Sequence, residues 1–349
     1  MQPFNSELFL TTTEVADLLA VHPSTVKRWC DAGELEADRT EGGHRRIYLR
    51  HALGFAQERG DETFLTPFAP FESHVWLAFR TAEVHDDFRR IHSLAMGWLV
   101  RGYPRRITAL FAELAARPGV SFERVCDRAI RPFMAEVGEE WHNGRLRIGD
   151  EHLAGQAVLE ALFRVNPEGD LEVPGALAGP NPLAGPVAVV GAAEGDQHQI
   201  GSMCVRVLLE RRGWRVLYLG PNTPAEEFAS VQRNQRANLV CISLTPPAPA
   251  GQVRRSIDVL SEFYRAEVPY HLAFGGSAAG PAGAWSGSES AVPTSTDSTS
   301  ERVPFLTLEC FDEMSAFGAW LDTIERGPDS SVSDHQLPGD QAWRGTGTE

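Results

Sequence analysis

"VAVVGAAEGDQHQIGSMCVRVLLERRGWRVLYLG", residues 187–220, reads as strand, loop, helix and strand. The opening run is apolar without alternation, as expected of a strand covered on both faces. The alternation continues through "ANLVCISLT" at 237–245, a helix across 253–265, and "YHLAFGGSA" at 270–278. Strands that alternate with helices predict a doubly wound, flavodoxin-like parallel sheet, whose ligand lies beyond the carboxyl ends of the strands.

Three features fall at those ends. The loop after the first strand holds Asp196, His198 and Gly201 as DxHxxG, the third strand ends in Ser243-Leu244-Thr245, and the fourth ends in Gly275-Gly276. An imidazole can ligate a metal through one nitrogen while a carboxylate two residues away accepts its other N–H, which fixes the tautomer. Small residues at the neighbouring strand ends leave a slot into the sheet, and paired glycines let a bulky ligand pass close to backbone.

At 349 residues, the chain is long enough for two or three domains. With 42% hydrophobic and 23% charged residues it has the composition of a globular protein. No apolar run approaches the length of a membrane span, and the start lacks a secretory signal. Cys30, Cys126, Cys204, Cys241 and Cys310 are scattered, with no CxxC pair, so they argue against disulfides and zinc. A reducing cytoplasm is the expected compartment. A net charge of −15 counts against nucleic acid as a partner unless a basic face survives locally.

Such a face is found at the start. Thr12 or Thr13 is expected to cap a helix with Val15, Ala16, Leu18 and Leu19 on one side, and Ser24 to cap "STVKRWCDAG". Two short helices and a tight turn match a helix-turn-helix. Gly42 and Gly43 then permit a hairpin tip, a wing followed at once by arginines. The candidate DNA contacts are Thr25, Lys27 and Arg28 on the second helix, and His44, Arg45 and Arg46 on the wing. Between helix and wing, "DAGELEADRTE" is acidic and lowers the expected nonspecific affinity.

Between these ends, four amphipathic helices are expected over 76–166, with breaks at "GYP", "RPGVS" and "NGRLRIGD". Ile91, Leu94, Ala95, Trp98 and Leu99 repeat at helical spacing, as do Val125, Ala129, Phe133 and Val137. Short connections favour an antiparallel four-helix bundle. Residues 167–186 are Pro/Gly-rich and read as a linker, 277–303 as a low-complexity insertion within an α/β domain of 187–326, and 327–349 as a disordered tail.

Residues 1–70 resemble the DNA-binding domain of the MerR family, including the "GGHRR" wing. The DxHxxG, SxL/SxT and GG set resembles the cobalamin-binding fold. That resemblance implies His198 as the lower axial ligand of cobalt, with Asp196 as its partner. It also implies that Ser243, Thr245, Gly275 and Gly276 belong to the groove for the nucleotide tail, and that Gly201 of the DxHxxG motif is a further cofactor-binding residue.

One stretch remains. "EEWHNGRLRIGDEHLAG", residues 139–155, sets Trp141 and His142 at a helix end, and Glu151 and His152 at the next helix start. In this domain order, a tryptophan, nine residues and Glu-His resemble the CarH and LitR group of light-responsive repressors. By that resemblance Trp141, Glu151 and His152 cover the upper adenosyl group of adenosylcobalamin, and His142 replaces it on cobalt after light. The implied protein is not an enzyme. It would be a photoreceptor repressor, tetrameric on operator DNA in the dark and dissociating in light. The alternatives are a light-independent cobalamin-sensing regulator and the cobalamin module of a methyltransferase-like enzyme.

Overall fold

The computed structural model describes residues 8–165, 185–245, 251–276 and 304–326. Nearly all of the 167–186 linker, the 277–303 insertion and the 327–349 tail lie outside those residues.

The chain begins with β1 (Phe9–Leu10), α1 (Thr12–Leu18), α2 (Pro23–Asp31), β2 (Asp38–Arg39), β3 (Arg45–Tyr48) and α3 (Leu49–Arg59). The strands form a small antiparallel sheet in the order β1-β3-β2, the wing beside two helices. Both expected caps are corrected. Thr11 caps α1, because it alone of the three threonines has a glutamate three residues on. Its Oγ1 accepts from the Glu14 N–H at 3.2 Å, while Glu14 Oε2 accepts from the Thr11 N–H at 2.8 Å. In α2, Pro23 takes the first position, where a missing N–H costs nothing. The cap therefore falls on His22, whose Nδ1 accepts from the Ser24 N–H at 3.2 Å.

The central helices are α4 (Glu72–His85), α5 (Arg89–Val100), α6 (Pro104–Ala116), α7 (Phe122–Val125), a π turn (Cys126–Ile130), α8 (Arg131–His142) and α9 (Ile148–Val165). The first expected helix is divided in two. Asp86 turns left-handed at φ 53°, and Asp87 Oδ1 accepts from the Arg89 N–H at 3.0 Å to start α5. The division leaves α5, α6, α7–α8 and α9 as the bundle, with α4 packed outside on α5. The π turn precedes Pro132, which has no N–H for the carbonyl of Arg128. The His92 ring approaches that carbonyl at 3.0 Å through Nε2 and satisfies it.

The remainder is β4 (Val187–Ala193), α10 (Ile200–Arg211), β5 (Arg215–Thr223), α11 (Ala225–Gln235), β6 (Leu239–Ser243), α12 (Gln252–Phe263), β7 (His271–Gly275), β8 (Leu308–Phe311) and α13 (Met314–Arg326). The five strands are all parallel in the order β5-β4-β6-β7-β8. Apolar residues of α11 and α12 cover one face and those of α10 the other, so the sheet is doubly wound as expected. The bundle joins that second side. Asp127 in the π turn accepts from the N–H groups of Met314 and Ser315 at 2.7 and 2.9 Å and so caps α13. Arg212 bridges Glu123 at 3.2 Å and Asp322 at 2.6 Å.

Arg117 ties the winged helix to α4 and the bundle. Its guanidinium meets Asp17 of α1 at 2.5 Å and Glu83 of α4 at 2.6 Å, and the Glu83 side chain is only 7% exposed. Removing one partner of a covered pair leaves the other charge unpaired. Arg117→Met should therefore lower unfolding stability by about 3 kcal/mol in urea denaturation. The double variant Arg117→Met with Glu83→Leu should recover most of that loss.

Candidate functional site

The site is built at the carboxyl ends of three neighbouring strands. Register places Ala192, Ser243 and Gly275 in one row across β4, β6 and β7. Beyond β4 the chain turns through Gly195, at φ 83°, into the loop that carries Asp196 and His198. Asp196 is buried, and its carboxylate accepts three hydrogen bonds. Oδ1 takes the His198 N–H at 2.9 Å and lies 2.8 Å from His198 Nδ1, while Oδ2 takes the Thr245 N–H at 2.7 Å. A carboxylate only accepts, so the proton of the neutral ring sits on Nδ1 and Nε2 keeps a lone pair. The His198 side chain is 60% exposed, so an open nitrogen is held by a fixed one.

The slot beside it has the expected small residues. Ser243 Oγ is buried without a hydrogen-bond partner. Gly276 has φ 105°, and a Cβ there would stand 2.2 Å from the Leu244 carbonyl oxygen. Gly201, at the start of α10, faces Ser243, where a Cβ would reach ordinary contact at 4.0 Å. Asn222 is a residue the sequence reading missed. Left-handed at φ 53°, it accepts the Gly195 N–H on Oδ1 at 2.7 Å and donates its own N–H to the Asp196 carbonyl at 2.8 Å. The signal was present as a Gly-Pro-Asn-Thr-Pro turn at the end of β5.

The second group stands at the α8–α9 turn. Trp141 and His142 end α8, and Glu151 and His152 occupy the first turns of α9. Trp141 is 47% exposed, and Ile148 and Leu153 on the same turn are also exposed. His152 Nε2 lies 3.5 Å from Glu151. Arg145 grips Glu140 through two 2.5 Å hydrogen bonds and stiffens the turn. Among the described residues, no hydrogen bond or ion pair joins this turn to the His198 loop.

On the winged helix, Lys27 and Arg28 are exposed on α2, His44 and Arg46 are exposed on the wing, and Thr25 is half-buried. Arg45 is used internally. It reaches Asp31 at the end of α2 at 2.5 Å, and Arg39 reaches the same carboxylate at 3.2 Å. The hydrogen bond from Arg45 holds the Asp31 carboxyl below its usual value, so this brace is complete at neutral pH and is lost only as the pH falls through that lowered value. Asp31, expected only to oppose DNA, fastens the wing to α2. The Arg46 guanidinium packs 4.4 Å over the Phe9 ring.

Three family models match this arrangement. One described as a helix-turn-helix domain covers residues 9–52, and two described as B12 binding domains cover 98–165 and 186–286. The chain thus joins a helix-turn-helix domain to a helical and an α/β B12 binding domain. Among curated proteins, it is 30% identical over 161 residues to the HTH-type transcriptional repressor CarA of Myxococcus xanthus, covering 46% of this chain and 50% of CarA. It is 27% identical over 143 residues to the HTH-type transcriptional repressor CarH of the same organism, covering 40% of this chain and 42% of CarH. Dimethylamine corrinoid protein 3 of Methanosarcina acetivorans is 27% identical over 147 residues, covering 42% of this chain and 65% of that protein. The match spans half or less of the two repressors. Their names are those of regulators, in keeping with the reading of the chain as a non-enzyme. Among the described residues, no helix is long and apolar enough to cross a membrane.

Two glycine substitutions separate architecture from open space. Gly276→Ala should cost about 2 kcal/mol or more of stability, through its left-handed backbone and the collision with Leu244. Gly201→Ala, in a helix and in ordinary contact, should stay within about 1 kcal/mol of the parent. Thermal and urea unfolding of the two proteins checks the contrast.

Proposed function

We propose that the chain is an adenosylcobalamin-dependent photoreceptor and transcriptional repressor, which binds operator DNA in the dark as an oligomer and leaves it in light. The observation that carries this reading is the His198 imidazole, held at Nδ1 by Asp196 with Nε2 open at the end of the sheet, in a chain that also bears a winged helix.

The residues fit the group. His198 would ligate cobalt from below, and the Asp196 hydrogen bond would keep the correct nitrogen free. With Gly201 as a further cofactor-binding residue, Ser243, Thr245, Gly275 and Gly276 would line the groove for the nucleotide tail. Ser243 Oγ is there to hydrogen bond it, and Gly276 leaves backbone room where a side chain would collide. Trp141, Glu151 and His152 would cover the upper adenosyl group, since the exposed indole at the end of α8 offers a broad apolar surface. His142 would offer cobalt a second nitrogen from above. When bound, the cofactor supplies a cobalt–carbon bond that visible light breaks.

The protein's part is to bind one state of the lid more tightly than the other. Trp141, Glu151 and His152 would hold the α8–α9 turn in one arrangement when the adenosyl form is bound, the state in which the resemblance implies a tetramer. Without it that turn relaxes and the oligomer dissolves. Each winged helix reaches few phosphates, so DNA affinity depends on several acting together. A corrinoid module serving methyl transfer is the second reading, favoured by the similarity to dimethylamine corrinoid protein 3. The winged helix has no task in it.

The central experiment records the absorption spectrum and operator binding with adenosylcobalamin, before and after green light. A spectral change with loss of DNA binding is expected. Equal DNA binding in both conditions would leave a regulator that senses cobalamin alone. His198→Ala should weaken cofactor retention and change the dark spectrum. His142→Ala should bind cofactor and DNA normally in the dark and still respond to light, but afterwards give a water-ligated spectrum and release cobalamin faster.

For the DNA face, Lys27→Ala with Arg46→Ala should weaken binding across sequences. The slope of log affinity against log salt should fall by about 2, one for each phosphate that is no longer neutralised. Arg45→Ala would also unfasten the wing from Asp31, so it is the poorer probe.

A further inference from the structure

We infer that a second site, a cavity where α6, α9 and α10 meet beneath Pro67, binds a small multiply charged anion carrying phosphate or carboxylate groups. The cavity encloses about 510 Å³, within the range of small-ligand sites, and Arg105, Arg106, Arg164 and Arg211 all line it. It lies outside the loops that form the cofactor site.

The sequence builds this cavity on one face of α6. Arg105 and Arg106 stand at its start, and three alanines follow at helical spacing on the same face, so the floor is small and the rim cationic. The opposite face of the helix, with Ile107, Leu110 and Leu114, is buried in the bundle. Arg164 comes from the last turn of α9, and Arg211 from the last turn of α10.

Among the described residues, the four arginines outnumber the carboxylates that pair with them or line the cavity. Among the described residues, Arg164 pairs with Glu160 at 2.6 Å, but Arg105, Arg106 and Arg211 have no carboxylate within ion-pair distance. Two of these are held in place by carbonyls. Arg106 donates to Ala69 at 2.6 Å and stacks on Phe71, while Arg211 donates to Ala115 at 3.0 Å. The lining holds one carboxyl against these four arginines, Glu113, whose pKa burial pushes upward. Guanidinium groups match the planar, divided charge of phosphate and carboxylate. This occurs on a chain whose net charge is −15, so the local sign opposes the whole.

The walls come from three parts of the fold. Pro67 belongs to the connection from the winged helix, Arg105 and Arg164 to the bundle, and Arg211 to the α/β domain. A ligand here would bind the three parts together and stabilise the folded chain in proportion to its occupancy.

The test uses the full chain without DNA, titrated with inorganic pyrophosphate by calorimetry at constant ionic strength. One saturable site per chain is expected, with a raised thermal midpoint. Arg105→Gln with Arg211→Gln should weaken binding at least tenfold, while Arg101→Gln, outside the lining, should leave it unchanged. If the double variant fails to fold, Arg105→Gln alone serves, since the Arg105 side chain makes no hydrogen bond or ion pair with the described residues. Citrate in a parallel titration assigns the class: equal affinity marks carboxylate recognition, and weaker affinity marks phosphate. Absence of saturable binding overturns the inference, as does binding indifferent to the arginines. So does binding that emerges only after Glu168→Gln, Asp170→Asn and Glu172→Gln, which would make the chain's own acidic stretch the occupant.

Discussion

The Asp196 carboxylate is the interaction on which the site depends. One oxygen holds both the backbone and the ring of His198, and the other holds the Thr245 N–H at the end of β6. A charged acceptor buried against three donors is well satisfied, and such hydrogen bonds are stronger than neutral ones. The same group therefore sets the tautomer of the imidazole and ties the loop after β4 to the next strand. Asn222 closes the arrangement from β5, so three strand ends converge on one short loop.

This convergence follows from strand order. With β4 between β5 and β6, the first loop emerges at the point where the chain reverses direction across the sheet, and a crevice is left there. The strand ends beside the imidazole carry the small residues Ser243, Gly275 and Gly276. The winged helix shows the converse use of charge. An acidic segment supplies, through Asp31, the brace that orients a basic wing. Net charge describes the encounter with a partner, and local pairing describes the surface that meets it.

Much of this was legible in the sequence because the signals were short-range and redundant. The strand–loop–helix alternation, DxHxxG, and the glycine wing each rest on neighbours within a few residues. The missed features depended on competition or distance. Thr11 prevailed over Thr12 and Thr13 because a capping box needs Glu14 at a fixed offset, and Pro23 moved the next cap to His22. The break at Asp86 was hidden by a helical rhythm that continues through it. Asn222 and the Arg45–Asp31 pair involve partners 14 or more residues away, which no local pattern reveals. The arginine cavity joins α6, α9 and α10, and no single segment announces it.

The π turn in the third bundle helix has a consequence for phase. Val125, Ala129, Phe133 and Val137 are all buried, although they recur every four residues. On an ideal α-helix each such step overshoots a full revolution by about 40°, so three steps would carry the last residue about 120° from the first. One wide turn takes up a residue's worth of rotation, about 100°, and keeps the four on one side. Trp141 is the next member of that series. Its direction is thus set nine to thirteen residues upstream of its own position, by Pro132 denying Arg128 a partner and by His92 supplying one. The indole is aimed by a correction in winding, much as a key's bit is aimed by the twist of its shank.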